Sequence, residues 1–401
     1  MIFPEHSEQL RITVFGGGGG GSVMAGGLVE AMPHADISVV VPTGDSGSKT
    51  GELREMFGGP AVGDTRKVLS AVAGNREAGE LFGTRFGEDD SLYGHCAQFY
   101  QSLVDAGKDP QAVGTTLERT MQLAEDLSRR GKSLKGHTFG NLVLTALSRD
   151  NQGDVTAGIR TAGRWLDARA NVIPVSSEPH NVMMYDRGRN MIIKGEGFID
   201  DYTPADPSQV EVWLEPSPLS ENRFIEGTDE VQEALMAREL MRRPCATHEA
   251  MGAIALSDIN LLAPGSPWTS QQPALLPEGI SGALARQQEQ GGLWVIVSNL
   301  FQEKPGLDLP THLRAIQDSA GRSATHFIHN TSMEGLPEGK VPLRFKPEDF
   351  DIGDAVAIGE ALVDSHIVEV DDNDPISHLR SPGHHDPWQV AKVLDGIVKA
   401  A

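Results

Sequence analysis

The sequence predicts an α/β protein with a doubly wound, mostly parallel Rossmann-like sheet carrying helical and small antiparallel insertions. Three observations support this. The chain opens with a β-rich run (12–15), six consecutive glycines (16–21), a helix-compatible stretch (22–32) and an apolar run (37–41), which together read as strand, turn, helix, strand. The apolar runs at 37–41, 258–263 and 293–298 do not alternate with polar residues. Strands buried on both faces have that pattern, and a parallel sheet covered by helices buries them so. With 401 residues, 39% of them hydrophobic, and 45 glycines, the chain has the composition of a large globular unit and enough apolar surface for a core.

Residues 1–330 are expected to form the main α/β domain. Within it, 75–135 reads as a mostly helical insertion, where Thr115 and Glu118 are spaced as a capping box ahead of Leu117, Met121, Ala124 and Leu127. Residues 171–215 hold short β runs at 171–176, 182–185, 191–193 and 210–214 between polar turns, the pattern of a small antiparallel excursion. The runs at 258–263 and 293–298 each lead through a loop to a helical segment such as 311–319, and 324–329 reads as a further strand. Residues 331–375, rich in Pro, Gly and acidic side chains, read as an acidic loop or surface lobe. The last segment, 376–401, ends in a helix with Asp386 as N-cap, Pro387 as first helical residue, and Val390, Val393, Leu394 and Ile397 on the face that packs on the α/β domain.

The charge balance narrows function. Lys and Arg number 34 against 56 Asp and Glu, a formal charge of −22. Nucleic acids and anionic membranes are held by clustered cations, so neither is an expected partner. Cys96 and Cys245 are the only cysteines and form no CxxC, which gives neither a disulfide framework nor a zinc knuckle. The first residues lack the basic and apolar regions of a secretion signal, and no run of 18 apolar residues occurs. The expectation from these features is a soluble, cytoplasmic protein, with a homo-oligomer left open. The 13 histidines include no HExxH, and His326, His329, His384 and His385 lack a third ligand at recognisable spacing.

Several loops hold residues suited to anion chemistry. Gly16, Gly18 and Gly21 satisfy G-x-G-x-x-G after a strand, with Gly17 between them; such a turn lets a phosphate reach backbone N–H groups at a helix N-terminus, or serves only as a tight turn. Pro42-Thr43 stands where a dinucleotide fold puts its ribose-binding carboxylate, and no Walker lysine follows the glycines. The stretch Thr43-Gly44-Asp45-Ser46-Gly47 combines hydroxyls, bare backbone and a carboxylate, fit for phosphate or metal. Gly63-Asp64-Thr65-Arg66-Lys67 precedes a helix, as does Gly136-His137-Thr138-Phe139-Gly140-Asn141. Gly265, Ser266, Trp268, Thr269 and Ser270 follow the 258–263 strand, where the N–H groups of Gly265 and Ser266 would receive an anion. Trp268 is read either as a buried packing anchor or as a platform for a nucleobase. Three of these loops leave the carboxyl ends of expected parallel strands, the edge where open α/β sheets bind ligands.

Taken together, the glycine turn, VVVPTGDSGSKTGELREMFGGPAVGDTRKVLSAVA, GHTFGNLVLTAL, LAPGSPWTSQQPALL and GHHDPWQVAKVL resemble, in that order, the family of CofD and YvcK proteins. The 43–66 motifs are closer to YvcK, the gluconeogenesis factor, although Thr43-Gly44-Asp45 is also similar to the CofD loop. Trp268 stands where the family pattern has Tyr, and His384 where it has Arg. The YvcK resemblance implies a protein that binds nucleotide ligands such as UDP-sugars and regulates carbon metabolism and cell-wall growth. The CofD resemblance implies a transferase that moves a phospholactyl-type group from a guanosine diphosphate-linked donor to a deazaflavin alcohol, with magnesium. On this reading Gly16, Gly17, Gly18, Gly21, Thr43, Gly44, Ser46, Arg66, Asn141, Gly265, Ser266, Trp268, Thr269, Ser270 and His384 contact the ligand. Asp45 and Asp64 are the candidate catalytic carboxylates, Asp45 also as a ligand to Mg2+.

Overall fold

The computed structural model describes residues 9–45, 47–217, 223–334, 336, 338–346, 355–363 and 384–400. Along the chain run strands β1 (Arg11–Phe15), β2 (Asp36–Val41), β3 (Asn171–Pro174), β4 (His180–Asp186), β5 (Met191–Lys194), β6 (Val210–Pro216), β7 (Arg223–Ile225), β8 (Ile259–Leu262), β9 (Leu293–Val297), β10 (His326–Asn330) and β11 (Val356–Glu360). Seven of them form a parallel sheet in the order β11-β10-β9-β8-β1-β2-β3; the other four form an antiparallel sheet in the order β6-β4-β5-β7.

Side chains in the main sheet alternate between two apolar layers, as the two-residue period of a strand requires. Ile12, Val14, Val39, Val41, Leu261, Val295 and Val297 face one layer, with the helices Gly18–Ala31, Gly63–Ala71, Phe139–Asp150, Val155–Trp165 and Pro387–Ala400. Phe15, Val40, Leu262, Trp294 and Ile296 face the other, with His248–Leu256, Ile280–Glu289 and Leu309–Ala320. Phe15 meets Trp294 edge-to-face, ring centroids 5.5 Å apart. Both faces are covered, which is why these strands are apolar at consecutive positions.

The chain steps outward from β1 to β2 and β3, then returns to the other flank of β1 as β8 and continues through β9, β10 and β11. After β1 it crosses through one helical layer, and after β8 it enters the other through the Gln272–Leu275 helix. Loops that diverge in this way leave a crevice between β1 and β8 at the carboxyl edge of the sheet.

Four local expectations change. The first helix begins at Gly18, inside the glycine run and not after it. Glycine is a poor helix former, but this turn lies against other backbone: a Cβ at Gly21 would be 2.6 Å from the carbonyl carbon of Gly16. Thr115 and Glu118 do not cap a helix; they lie within Pro110–Arg129, whose N-cap is Asp109, its carboxylate accepting from the Gln111 N–H at 3.0 Å. The 171–176 run is not part of the antiparallel excursion, because β3 pairs with β2 in the main sheet, Val39 opposite Val172. Within 331–375, much of which lies outside the described residues, β11 extends the main sheet beside β10.

The last helix, Pro387–Ala400, packs on Gly18–Ala31, and Pro387 sits where a side chain on Gly27 would be. A Gly27→Val variant should therefore lose about 1–3 kcal/mol, the usual cost of overpacking. Urea unfolding followed by circular dichroism would register this as a lower midpoint; an unchanged midpoint would show that the two helices separate freely.

Candidate functional site

The glycine turn leaves β1 and at once starts a helix. Gly17 is the N-cap residue and supplies no side-chain cap, no acidic residue stands in the first turn, and Gly18 has φ +58°. The first N–H groups of the helix have no intrahelical partner, so its positive end is open to an anion. Gly17 lies directly against the Asp64 carboxylate, Gly20 against the carbonyl oxygen of Pro264, and Gly19 has no atom within 4 Å of its Cβ position. The turn thus touches the Asp64 motif on one side and the Pro264 loop on the other.

A pocket of about 170 Å³ on the Asp64 side is lined by Asp45, Lys49, Thr50, Arg66, Lys67, Arg85, Thr138 and Asn141 among others. Arg66 is buried; desolvation lowers its pKa to about 10, against the opposing pull of Asp64, so it stays charged at neutral pH. Its Nε and the Oδ1 of buried Asn141 have no hydrogen-bond partner. Lys67 pairs with Asp64 at 3.0 Å, and the charge of Asp64 raises the lysine pKa. Four cations gathered around one cavity give a locally positive field in a chain of charge −22.

Facing them is a carboxylate cluster. Asp45 Oδ1 accepts from the Gly47 N–H at 2.6 Å, and burial and then the charge of Asp64 raise its pKa. Glu196, on the short helix Glu196–Asp201 after β5, has a pKa raised well above the usual range by burial and by the charges of Asp45, Asp64 and Asp200. Burial and like charge raise both groups together and favour a proton shared between Glu196 and Asp45. Arg54 holds this arrangement by donating to the backbone oxygens of Asp45 at 2.9 Å and His180 at 2.7 Å, joining the loop to β4. Neither Glu196 nor Arg54 was expected from the sequence. Glu196 stands outside the glycine-rich motifs, and Arg54 shows its role only through hydrogen bonds that reach 126 residues along the chain.

A second pocket, about 240 Å³, opens on the other side of the turn and is lined by Gly20, Val23, Pro264, Gly265, Ser266, Asn299, Phe301, Glu303, His384 and His385 among others. Here the sequence expectation changes. The Gly265 N–H is not available to an anion, because it donates to Asn299 Oδ1 at 3.0 Å while Asn299 Nδ2 donates to the Gly265 carbonyl at 2.8 Å. Ser266 caps the wide turn Pro267–Gln271 by accepting from the Thr269 N–H, and the Thr269 hydroxyl donates to Asp200 at 2.8 Å. Ser270 Oγ lies 4.0 Å from the Cβ position of Gly18, facing the turn. Trp268 is only 2% exposed and packs with Val182, Met184, Ile193, Leu214 and Leu307 under the antiparallel sheet, so its ring has no face to offer a base.

The remaining expected residues divide between the two sides. Asn141 and the Pro264 loop line different pockets, one on each side of the glycine turn. Thr43 donates its hydroxyl to the Ser176 carbonyl at 2.9 Å, and Gly44 packs against Val182 and His180, so both brace the loop. His384 lines the 240 Å³ pocket, while Ser46 lies outside the described residues. A wider cleft, about 940 Å³, is at the opposite edge around the starts of β2 and β3; its Lys108, Arg160 and Arg169 are paired with Asp167, Glu249 and Glu30. It holds none of the loops at the switch point.

Among the described residues no group of three His, Cys, Asp or Glu side chains could hold a metal ion. Magnesium asks less of a protein: one or two carboxylates, with waters and ligand phosphates completing its shell. Asp45 and Asp64, close enough for the charge of one to shift the other, supply oxygen donors of that kind beside the open helix end.

The fold and these loops define a doubly wound α/β protein with a glycine-rich first turn at its switch point. Residues 12–339 match the family model described as 2-phospho-L-lactate transferase CofD, and the chain belongs to that family, as its ordered motifs suggested. It is 24% identical over 402 residues to the gluconeogenesis factor of Bacillus subtilis, spanning 98% of this chain and 99% of that one. A putative gluconeogenesis factor from Aquifex aeolicus is 27% identical over 303 residues, covering 75% of this chain and 70% of its own. A crystal structure of a Bacillus halodurans member of the UPF0052 family has the same fold, with TM-score 0.66, 21% identity, and coverage of 97% and 99%. No helix among the described residues is long and apolar enough to cross a membrane.

Two outcomes follow from the packing around the Pro264 loop. Trp268→Ala should cost about 3–5 kcal/mol of stability, as removal of a buried aromatic does, measured by chemical denaturation. Gln271 donates to the Ala263 carbonyl at 2.9 Å and is held at 2.5 Å by His312. Burial lowers the His312 pKa from 6.5 to about 4. Its stability contribution is complete above pH 6.5 and is lost as pH falls toward 4, because the unfolded chain then binds a proton that the folded chain resists. The stability advantage of wild type over His312→Gln should shrink by about 2–3 kcal/mol between pH 7 and pH 4.5; a constant difference across that range would refute a buried neutral histidine.

Proposed function

We infer that this protein binds a nucleoside diphosphate, free or carrying a sugar, across the β1/β8 crevice, and that it acts as a regulator of carbon or cell-wall metabolism. One observation carries the binding reading: an uncapped helix N-terminus built of glycine lies between a cation-lined pocket and a more apolar one. Helix N–H groups suit a diphosphate, the cationic pocket suits its charge or an attached polar group, and the 240 Å³ pocket suits one ring system. The relatives' designation as gluconeogenesis factors supports the regulatory part.

A second reading, a transferase that moves a phospholactyl-type group from a nucleotide diphosphate-linked donor to an alcohol, draws on the Asp45, Glu196 and Asp64 cluster. Bound magnesium would neutralise charge developing on a diphosphate leaving group. The protein's own part would be to hold that diphosphate on the helix end and to keep a proton shared between Asp45 and Glu196 close to it.

A thermal-shift panel of GDP, UDP, UDP-sugars, NAD and ATP, with and without magnesium, tests both readings. A nucleoside diphosphate at about 100 times its Kd should stabilise the fold by about 2.7 kcal/mol. No stabilisation by any diphosphate at millimolar concentration would sink the binding reading. Asp45→Asn should abolish whatever part of the shift depends on magnesium; if magnesium changes nothing in the wild type, the transferase reading fails and the regulatory one stands.

A further inference from the structure

We propose that Glu303 accepts hydrogen bonds from the ribose hydroxyls of the bound nucleotide and thereby fixes the ligand's direction, with its nucleoside end toward β9 and its distal group toward the cationic pocket beside β2. This rests on the nucleotide reading above and adds to it a residue and an orientation.

The sequence lacks the carboxylate that usually holds a ribose. A dinucleotide fold holds the ribose with a carboxylate at the end of its second strand. Here that position is Pro42-Thr43, and the Thr43 hydroxyl is engaged with the Ser176 carbonyl. A diphosphate on the Gly18 helix end must therefore send its ribose elsewhere. On the other flank of the turn, the loop after β9 brings Glu303 into the wall of the 240 Å³ pocket that also contains Gly20.

The polar groups of that wall are largely engaged within the protein. Asn299 uses both ends of its amide on Gly265, and His385 Nε2 donates to the Ser298 carbonyl at 2.7 Å. Glu303 receives the Ser266 hydroxyl, and its Oε2 has no hydrogen-bond partner. A carboxylate oxygen withdrawn from water without a donor is costly unless a ligand supplies one, so its presence in a ligand-sized pocket needs a reason. Burial, opposed by the Ser266 hydroxyl and reinforced by the charge of Asp200, raises the Glu303 acid to about 7, as expected of an acceptor that lacks its donor. Vicinal hydroxyls, two adjacent donors on one rigid ring, match the need of a carboxylate.

The test compares Kd values of UDP and GDP with those of their 2′,3′-dideoxy forms, by calorimetry, for wild type, Glu303→Ala and Glu303→Gln. Wild type should prefer the ribose form by about 10- to 100-fold, the range for a hydrogen bond to a charged group. Glu303→Ala should bind both forms equally, within about twofold, with little change toward the dideoxy form, and Glu303→Gln should retain part of the preference. Should Glu303→Ala fail to fold, Glu303→Gln alone decides, since an undiminished ribose preference in it overturns the proposal. A wild type that binds nucleotides without distinguishing the dideoxy form also overturns it and leaves the nucleotide reading intact. A wild type that binds neither UDP nor GDP ends both.

Discussion

A glycine turn packed tightly at three positions organises this protein. Gly17 lies against the Asp64 carboxylate, while Gly20 meets the Pro264 carbonyl and Gly21 meets Gly16, backbone against backbone, where the two halves of the main sheet diverge. Glycine in a helical first turn costs stability, and here that cost is set against close approach of three separate loops. One Cβ at Gly20 would push the Pro264 loop away and widen the crevice that the strand order creates. The arrangement also leaves the helix end bare, with its N–H groups uncovered by any cap.

Around that turn the electrostatics invert twice over a short distance. Lys49, Arg66, Lys67 and Arg85 line a small cavity together with Asp45, and Asp64 and Glu196 lie close enough to Asp45 for their charges to couple with it. Neither group is explained by the overall charge of −22, which describes the surface seen from a distance. Withdrawn from water, like charges raise one another's proton affinity, which favours a proton shared between Glu196 and Asp45. The geometry of the two loops therefore supplies an anion-attracting wall and a shared proton side by side.

Rigidity comes from layers beneath the loops. Trp268 fills the core of the antiparallel sheet, Asn299 clamps Gly265 from both sides, and His312 and Gln271 tie the wide turn to the end of β8. Arg54 does the same for the Asp45 loop by reaching the backbone of β4. Groups placed with such support keep their geometry without reorganising, which is what preorganised binding requires.

Much of this was legible in the linear chain. Unbroken apolar runs such as 37–41 and 293–298 announce strands buried on both faces, and a glycine run after such a strand announces a switch-point turn, because both patterns arise from local periodicity and sterics. Asp386-Pro387 likewise marks the start of the last helix, Pro387–Ala400. Other assignments depended on distance in three dimensions. Thr115 and Glu118 have capping-box spacing yet lie within the helix, since Asp109 caps it six residues before Thr115. Trp268 sits in a ligand-type motif, but the antiparallel sheet, contributed by residues 180–225, buries its ring. Glu196 and Glu303 occupy no motif, and only packing brings one to Asp45 and the other to Gly20. Backbone period, turn chemistry and capping act over a few residues and can be read in the chain. Desolvation and charge coupling act between residues more than 100 positions apart, and they exist only once the chain has closed on itself.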